Sequence, residues 1–229
     1  MRQPVRASVA ERDLALAELP SSRGLQALLP AGGAWEVELG FGKGKYLLRR
    51  AQESPERRFL GIEVVSKYSR MLLDRARRRG LKNLAIFRGE AVFLMSAVLP
   101  RAFAEAVHVY FPDPWPKSRH HKRRLFDPER VDLVLGLLKP GGRLYFATDF
   151  LEYGEKVRDI LAGHPALGLE VLDDVWRDGA RTNYEAKYIV EGRPILRLVA
   201  TVDPAPDPPY FHPRGVCGVL AAHAPRTED

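Results

Sequence analysis

Ala106-Val107-His108-Val109-Tyr110-Phe111-Pro112-Asp113-Pro114-Trp115 is the stretch that decides the fold. Its first six residues are apolar, β-branched and aromatic, the composition of a strand buried on both faces. The Pro-Asp-Pro turn then ends the strand and places a carboxylate at its carboxyl end, where open α/β sheets bind ligands. Directly beyond, Lys117, Arg119, Lys122, Arg123 and Arg124 put five cations into eight positions. A carboxylate beside such a basic block suggests a site that handles a polyanion while reserving one acceptor for chemistry.

Working outward, short β-rich runs alternate with segments of helical period from Trp35 to Val202. That alternation predicts a doubly wound, mostly parallel, seven-stranded α/β sheet. Strands are expected at Glu36 to Leu39, Phe59 to Val64, Leu84 to Arg88, Ala106 to Phe111, Arg143 to Thr148, Leu169 to Val175 and Ile195 to Val202. Helices are expected at Lys67 to Arg79, whose outer face is basic, at Pro128 to Leu138 with Pro140-Gly141-Gly142 as its stop, and at Tyr153 to Ala162. Residues 1–33 read as an arm with a helix at Glu11 to Glu18, 34–202 as the domain, and 203–229 as a tail whose prolines forbid a helix or central strand.

The 229 residues, 45% of them apolar, suffice for one full core. A net charge of +7 and a pI near 9.6 suit a polyanionic partner. Lone Cys217 excludes an intrachain disulfide framework and a Cys-rich zinc module. The start, Met1-Arg2-Gln3-Pro4-Val5-Arg6, lacks an apolar signal core, and no run is long enough to span a bilayer, so a cytoplasmic protein without membrane association is expected.

Three further carboxylates fall at strand ends. Glu38 stands before Gly40-Phe41-Gly42-Lys43-Gly44, a tight loop that opens a helix but departs from the dinucleotide spacing. Glu63 ends Gly61-Ile62-Glu63, where a carboxylate accepts from ribose hydroxyls, and Glu90 follows the third strand, placed to accept from an adenine amino group. Without a phosphate-binding lysine in the loop, this set describes a nucleoside that carries no phosphate, with a cationic group near Glu38. S-adenosylmethionine is such a ligand; NAD is the alternative. His120 and His121 lack the spacing of a metal site, and no metal is expected. Asp207-Pro208-Pro209-Tyr210 spells the motif with which methyltransferases activate exocyclic amines, but it lies past the last strand, while Asp113 already holds the strand-end position.

Phe111-Pro112-Asp113-Pro114-Trp115, Arg119-His120-His121-Lys122-Arg123-Arg124-Leu125, Ala147-Thr148-Asp149 and Thr182-Asn183-Tyr184-Glu185-Ala186-Lys187 together resemble the bacterial tRNA (guanine-N7-)-methyltransferases, over about Glu36 to Val202. The resemblance implies a Rossmann-like class I methyltransferase fold and methyl transfer from S-adenosylmethionine to a variable-loop guanosine of tRNA, position 46. It further implies that Glu38, Gly40, Gly42, Glu63, Glu90 and Asp113 hold the cofactor, with Asp113 catalytic. Lys117, Asp149, Thr182, Asn183, Tyr184 and Glu185 would line the guanosine site, and Arg119, Lys122, Arg123 and Arg124 would bind tRNA phosphates. Two departures stand out: Glu90-Ala91 where the family commonly has Asp-Ala, and Trp115-Pro116-Lys117 where it commonly has Trp-His-Lys. Another nucleobase methyltransferase, or a noncatalytic RNA-binding protein with this fold, are the alternatives. Oligomeric state is left open.

Overall fold

The computed structural model describes Asp13, Leu14 and residues 33–204. Seven strands form its core: β1 (Trp35–Leu39), β2 (Arg58–Glu63), β3 (Leu84–Arg88), β4 (Ala104–Tyr110), β5 (Leu138–Thr148), β6 (Leu167–Leu172) and β7 (Leu196–Val202). They lie in the order β3-β2-β1-β4-β5-β7-β6. Only β7 runs against its neighbours. A two-residue strand, Asp13–Leu14, adds to the β3 edge in parallel, opposite Ile86 and Phe87.

Helices cover both faces because the central strands are apolar on both. On one face α1 (Lys45–Glu53) and α2 (Ser66–Arg78) enclose Phe59, Leu84 and Ile86 with Leu47, Leu48, Leu72 and Leu73. On the other, α3 (Ala91–Ala97), α4 (Val131–Leu135) and α5 (Leu151–Ala162) cover Val37, Val107, Val109 and Phe146. In α5 the i, i+4, i+8 residues Tyr153, Val157 and Leu161 are all fully buried, each contributing about 1.5–3 kcal/mol on the scale for a wholly buried large side chain. Gly61 lets α1 approach the sheet, since a Cβ there would lie 2.6 Å from Leu47 Cδ1 and 2.7 Å from Phe41 Cδ1. A shorter helix, α6 (Asn183–Val190), precedes β7. No helix among the described residues is long and apolar enough to cross a membrane.

Several sequence expectations are corrected. Asp13 and Leu14 are extended where a helix over Glu11 to Glu18 was expected; the other residues of that segment lie outside the described ones, as do Cys217 and Asp207-Pro208-Pro209-Tyr210. The helix expected over Pro128 to Leu138 shrinks to α4. Its entry is set by the Asp127 carboxylate, which accepts from the Glu129 and Arg130 amides at 3.0 and 2.9 Å. Leu138 already pairs with Ala104, and Arg143 pairs with Ala106, so Lys139-Pro140-Gly141-Gly142 is a bulge inside β5. Pro-Gly-Gly reads alike as a helix stop or a bulge, since both exploit a missing donor and a left-handed glycine, here Gly141 at φ 76°. The last two expected strands shift slightly: β6 ends at Leu172 and β7 begins at Leu196.

Candidate active site

The carboxyl ends of β1 to β4 form one edge, and the local chemistry of each end shapes a groove. After β1, Gly40, Gly42 and Gly44 all take left-handed backbone, at φ 72°, 52° and 66°. A side chain would be strained there, whereas glycine turns freely. The space above Gly40 and Gly42 is open, with nothing within 4 Å of where a Cβ would sit. Glu63 fastens this loop: one carboxylate oxygen accepts from the Gly42 amide and the other from the Val65 amide, each at 2.9 Å.

Two cavities adjoin along the edge, sharing Gly40 and Tyr110. The first, about 270 Å³, is lined by Glu63, Glu90, Asp113, Trp115 and Arg123 among others. The second, about 250 Å³, includes Glu38, Phe111, Thr182, Asn183, Tyr184 and Lys187. Glu38 is 3% exposed, and its Oε2 has no hydrogen-bond partner among the described residues. Burial, with the Glu63 charge adding to it, pushes the Glu38 carboxyl well above its usual range. Burial thus favours the protonated form, and a cation beside it would favour the charged one. Glu90 caps α3, one oxygen accepting from the Phe93 amide at 2.7 Å.

Asp113 sits on the turn beyond β4, exposed toward the first cavity. The turn is strained at both shoulders, with Phe111 at φ 52° and Trp115 at φ 43°. Non-glycine residues there cost on the order of 1–3 kcal/mol each and persist where surrounding contacts impose them. Arg124 is one such contact. It is 4% exposed, donates from Nε to the Pro114 carbonyl at 2.7 Å, and lies 4.8 Å over the Tyr153 ring. That corrects the expectation that Arg124 binds tRNA phosphate, because a buried guanidinium already committed to the turn is withheld from solvent. Arg119, Lys122 and Arg123 stay exposed on a 3₁₀ helix, Ser118–Arg123, with Arg123 over Trp115 at 4.9 Å.

The residues expected around the guanosine divide. Thr182, Asn183 and Tyr184 line the second cavity, and Tyr184 is 59% exposed with its ring near Phe111 and Tyr188. Glu185 turns inward instead. It is fully buried, its oxygens accepting from Arg197 Nε and the Arg181 amide, both at 2.8 Å. With Thr182 Oγ1 accepting from the Glu185 amide at 3.0 Å, the pair builds the start of α6, so Glu185 shapes the lip without facing it. Asp149 lies at the end of β5, 3.6 Å from Arg193, and Lys117 is exposed; neither lines the two cavities.

Behind the groove lies a polar cluster that sequence reasoning missed. Arg181 Nη1 donates to Tyr110 Oη at 2.6 Å, Tyr110 meets His108 Nδ1 at 2.8 Å, and His108 Nε2 lies 3.3 Å from Glu36. With Tyr110 accepting from Arg181, its own proton goes to Nδ1, which leaves Nε2–H to face Glu36. The Arg181 guanidinium sits 4.3 Å from Trp176 and 4.8 Å from Tyr145. No spacing rule brings Glu36, His108 and Arg181 together; the β1–β4 pairing sets the first two on adjacent strands, and Arg181 enters from the segment before α6.

A family model with the description "Putative methyltransferase" matches residues 34–198. The tRNA (guanine-N(7)-)-methyltransferase of Nitrosococcus oceani is 39% identical over 169 residues, 73% of this chain and 72% of that protein. Matches to five other relatives of the same name, 39–43% identical, span 44–62% of their lengths. Among solved structures, the 16S rRNA methyltransferase KamB superposes with a TM-score of 0.58 at 16% identity, covering 84% of this chain and 96% of that one. The O-methyltransferase TomG from Streptomyces achromogenes, solved in complex with SAM, gives 0.52 at 15% identity over 75% and 74%. At such identities the likeness is one of fold: this is the Rossmann-like class I methyltransferase architecture.

Proposed function

Because the chain belongs to the tRNA (guanine-N7-)-methyltransferase family, we propose that its groove takes S-adenosylmethionine and transfers the methyl group to N7 of a variable-loop guanosine in tRNA, position 46. The observation that carries this reading is Glu38, a buried carboxyl with an unpartnered oxygen lining the cavity beside an open glycine loop. An orphaned acceptor of that kind costs about 1–3 kcal/mol unless a donor completes it. The cofactor's ammonium group is a suitable donor, and a pyrophosphate is not.

The residues fit the remainder of that ligand. Glu63 and Glu90 would hold the ribose hydroxyls and the adenine amino group in the first cavity, while Gly40 and Gly42 leave room for close approach. The bound cofactor supplies a methyl group on a positively charged sulfur. Guanine N7 already carries a lone pair, so no residue need remove a proton from it. The protein's task is alignment and electrostatics. As charge passes to the purine, a carboxylate accepting from N1–H and the 2-amino group stabilises the transition state more than the ground state. Asp113 fits that role, being exposed at the groove on a rigid turn. Thr182, Asn183 and Tyr184 would bound the guanine from the opposite lip, and Arg119, Lys122 and Arg123 would hold flanking phosphates.

Labelled methyl transfer to an unmodified tRNA transcript, followed by nucleoside analysis and mapping, tests this reading. The expected product is 7-methylguanosine confined to the variable loop. A different methylated nucleoside would overturn the target, and no transfer despite tight tRNA binding would overturn the activity.

A further inference from the structure

The outer face of α2 carries a row of four cations with a single anion among them. At 100° per residue, Lys67, Arg70, Asp74, Arg77 and Arg78 fall within one arc of about 100°, running along a helix about 20 Å long. All five are exposed. Asp74 is the sole anion among them, and among the described residues none of the four cations forms an ion pair. A face that is merely solvated looks different elsewhere on this molecule. Lys156 pairs with Glu152 and Lys187 with Glu191 at i, i+4, and Arg193 with Glu191. With four cations to one anion the face keeps a net charge of +3, a positive field that a polyanion would neutralise.

This row also reaches the groove. Tyr68 of α2 lines the second cavity together with Lys43 and Lys45. Arg75 Nη1 donates to the Lys43 carbonyl at 3.0 Å, fixing the glycine loop against the middle of the helix. Lys43 is exposed, so cations continue from the cavity's rim onto α2. On the other side, Arg123 of the 3₁₀ helix lines the first cavity, and Arg119 and Lys122 are exposed on the same helix.

We propose that the outer face of α2 is a second phosphate-binding surface, which grips the tRNA backbone beyond the target nucleotide on the α2 side of the groove. The proposal rests on the tRNA methyltransferase reading and adds the path of the substrate across the protein: the RNA spans the groove, held by the 3₁₀ helix at one cavity and by α2 beside the other. Each cation that releases a counterion contributes about 0.7–0.9 to the slope of log affinity against log salt.

The test compares wild type with two triple variants, one replacing Arg70, Arg77 and Arg78 by Gln and one replacing the same three by Lys. Binding to an unmodified tRNA transcript is measured from about 50 to 200 mM salt, the range over which such contacts weaken steeply. The Gln variant should lose about 2–3 from the salt slope and about 10- to 100-fold in tRNA affinity. Its S-adenosylmethionine affinity, melting temperature and transfer rate at saturating tRNA should stay near wild type. The Lys variant, which keeps the charge, should keep the slope. An unchanged slope in the Gln variant, or an equal loss in the Lys variant, would overturn the proposal. Failure of the wild type to methylate any tRNA is a separate outcome, which removes the underlying activity.

Discussion

Asp113 reaches the groove only because Phe111 and Trp115 accept left-handed backbone on either side of it. In the proposed role it stabilises charge developing on the purine, and on that proposal Asp113→Ala should lower the single-turnover transfer rate by about 100-fold or more while changing cofactor affinity severalfold at most. Equilibrium binding beside rapid-quench kinetics separates the two, and a loss confined to affinity would refute the assignment. Glu38 makes a different prediction. Burial and the Glu63 charge raise its carboxyl, and the ammonium group of the proposed cofactor would pull it back down. Cofactor binding near neutral pH should therefore release a proton, seen calorimetrically as a dependence of binding enthalpy on the buffer's ionisation enthalpy, and Glu38→Gln should abolish that dependence. Arg124 and Arg123 are neighbours with opposite expectations. Arg124→Ala removes a buried brace and should cost about 1–3 kcal/mol of stability, measured by denaturant titration. Arg123→Ala should leave stability nearly unchanged and reduce the salt slope of tRNA binding by about one.

At the scale of elements, the α6 lip depends on a contact remote from its own helix. Arg181 anchors into the ring cluster of Tyr110, Tyr145 and Trp176, while its backbone amide ties to buried Glu185 and the next residue, Thr182, caps the helix. Arg181→Met should raise KM for tRNA by about tenfold with cofactor affinity preserved, and Arg181→Lys should recover part of that loss. A parallel loss of cofactor affinity in Arg181→Met would contradict a positioning role confined to the lip. The limits of sequence reading show at this scale. The strands were legible because β1 to β4 are buried on both faces and so are continuously apolar, and the four carboxylates were legible because strand ends in such sheets face ligands. Glu185 was misassigned because Thr-x-x-Glu serves a helix start as readily as a substrate edge. Arg124 looked like its basic neighbours because nothing local tells a guanidinium tucked under the Pro114 carbonyl from one in solvent. The Arg181 cluster left no linear signature, since its members come from β1, α1, β4, β5 and the segment before α6.

In the whole molecule, one face of the sheet is sealed by α3, α4 and α5, and the other combines α1, α2 and the polar cluster behind the groove. That cluster ties stability to pH. Burial pushes the His108 imidazole down to about 4 against the upward pull of Glu36. Burial works to raise the Glu36 carboxyl, but hydrogen bonding and charge from His108 and Arg50 outweigh it and hold the group at about 2. Between about pH 6.5 and 4 the unfolded chain binds a proton at His108 that the folded one refuses, so stability falls as pH falls through this window, by on the order of 3 kcal/mol. The Glu36 contribution is intact above the unfolded carboxylate value of 4.5 and is lost as pH drops through about 2. His108→Gln should flatten the dependence of the urea midpoint on pH between 6.5 and 4, and an unchanged slope would show the imidazole already titrates freely. In function, the groove directs a methyl group to the N7 lone pair of a guanine in tRNA. The most direct measurement is labelled methyl transfer to a tRNA carrying 7-deazaguanosine at the target position, alongside the unaltered tRNA. The account predicts tRNA binding within about twofold for the two and no incorporation into the 7-deaza substrate, because a single C–H replaces the nucleophile. Incorporation into both at comparable rates would contradict it.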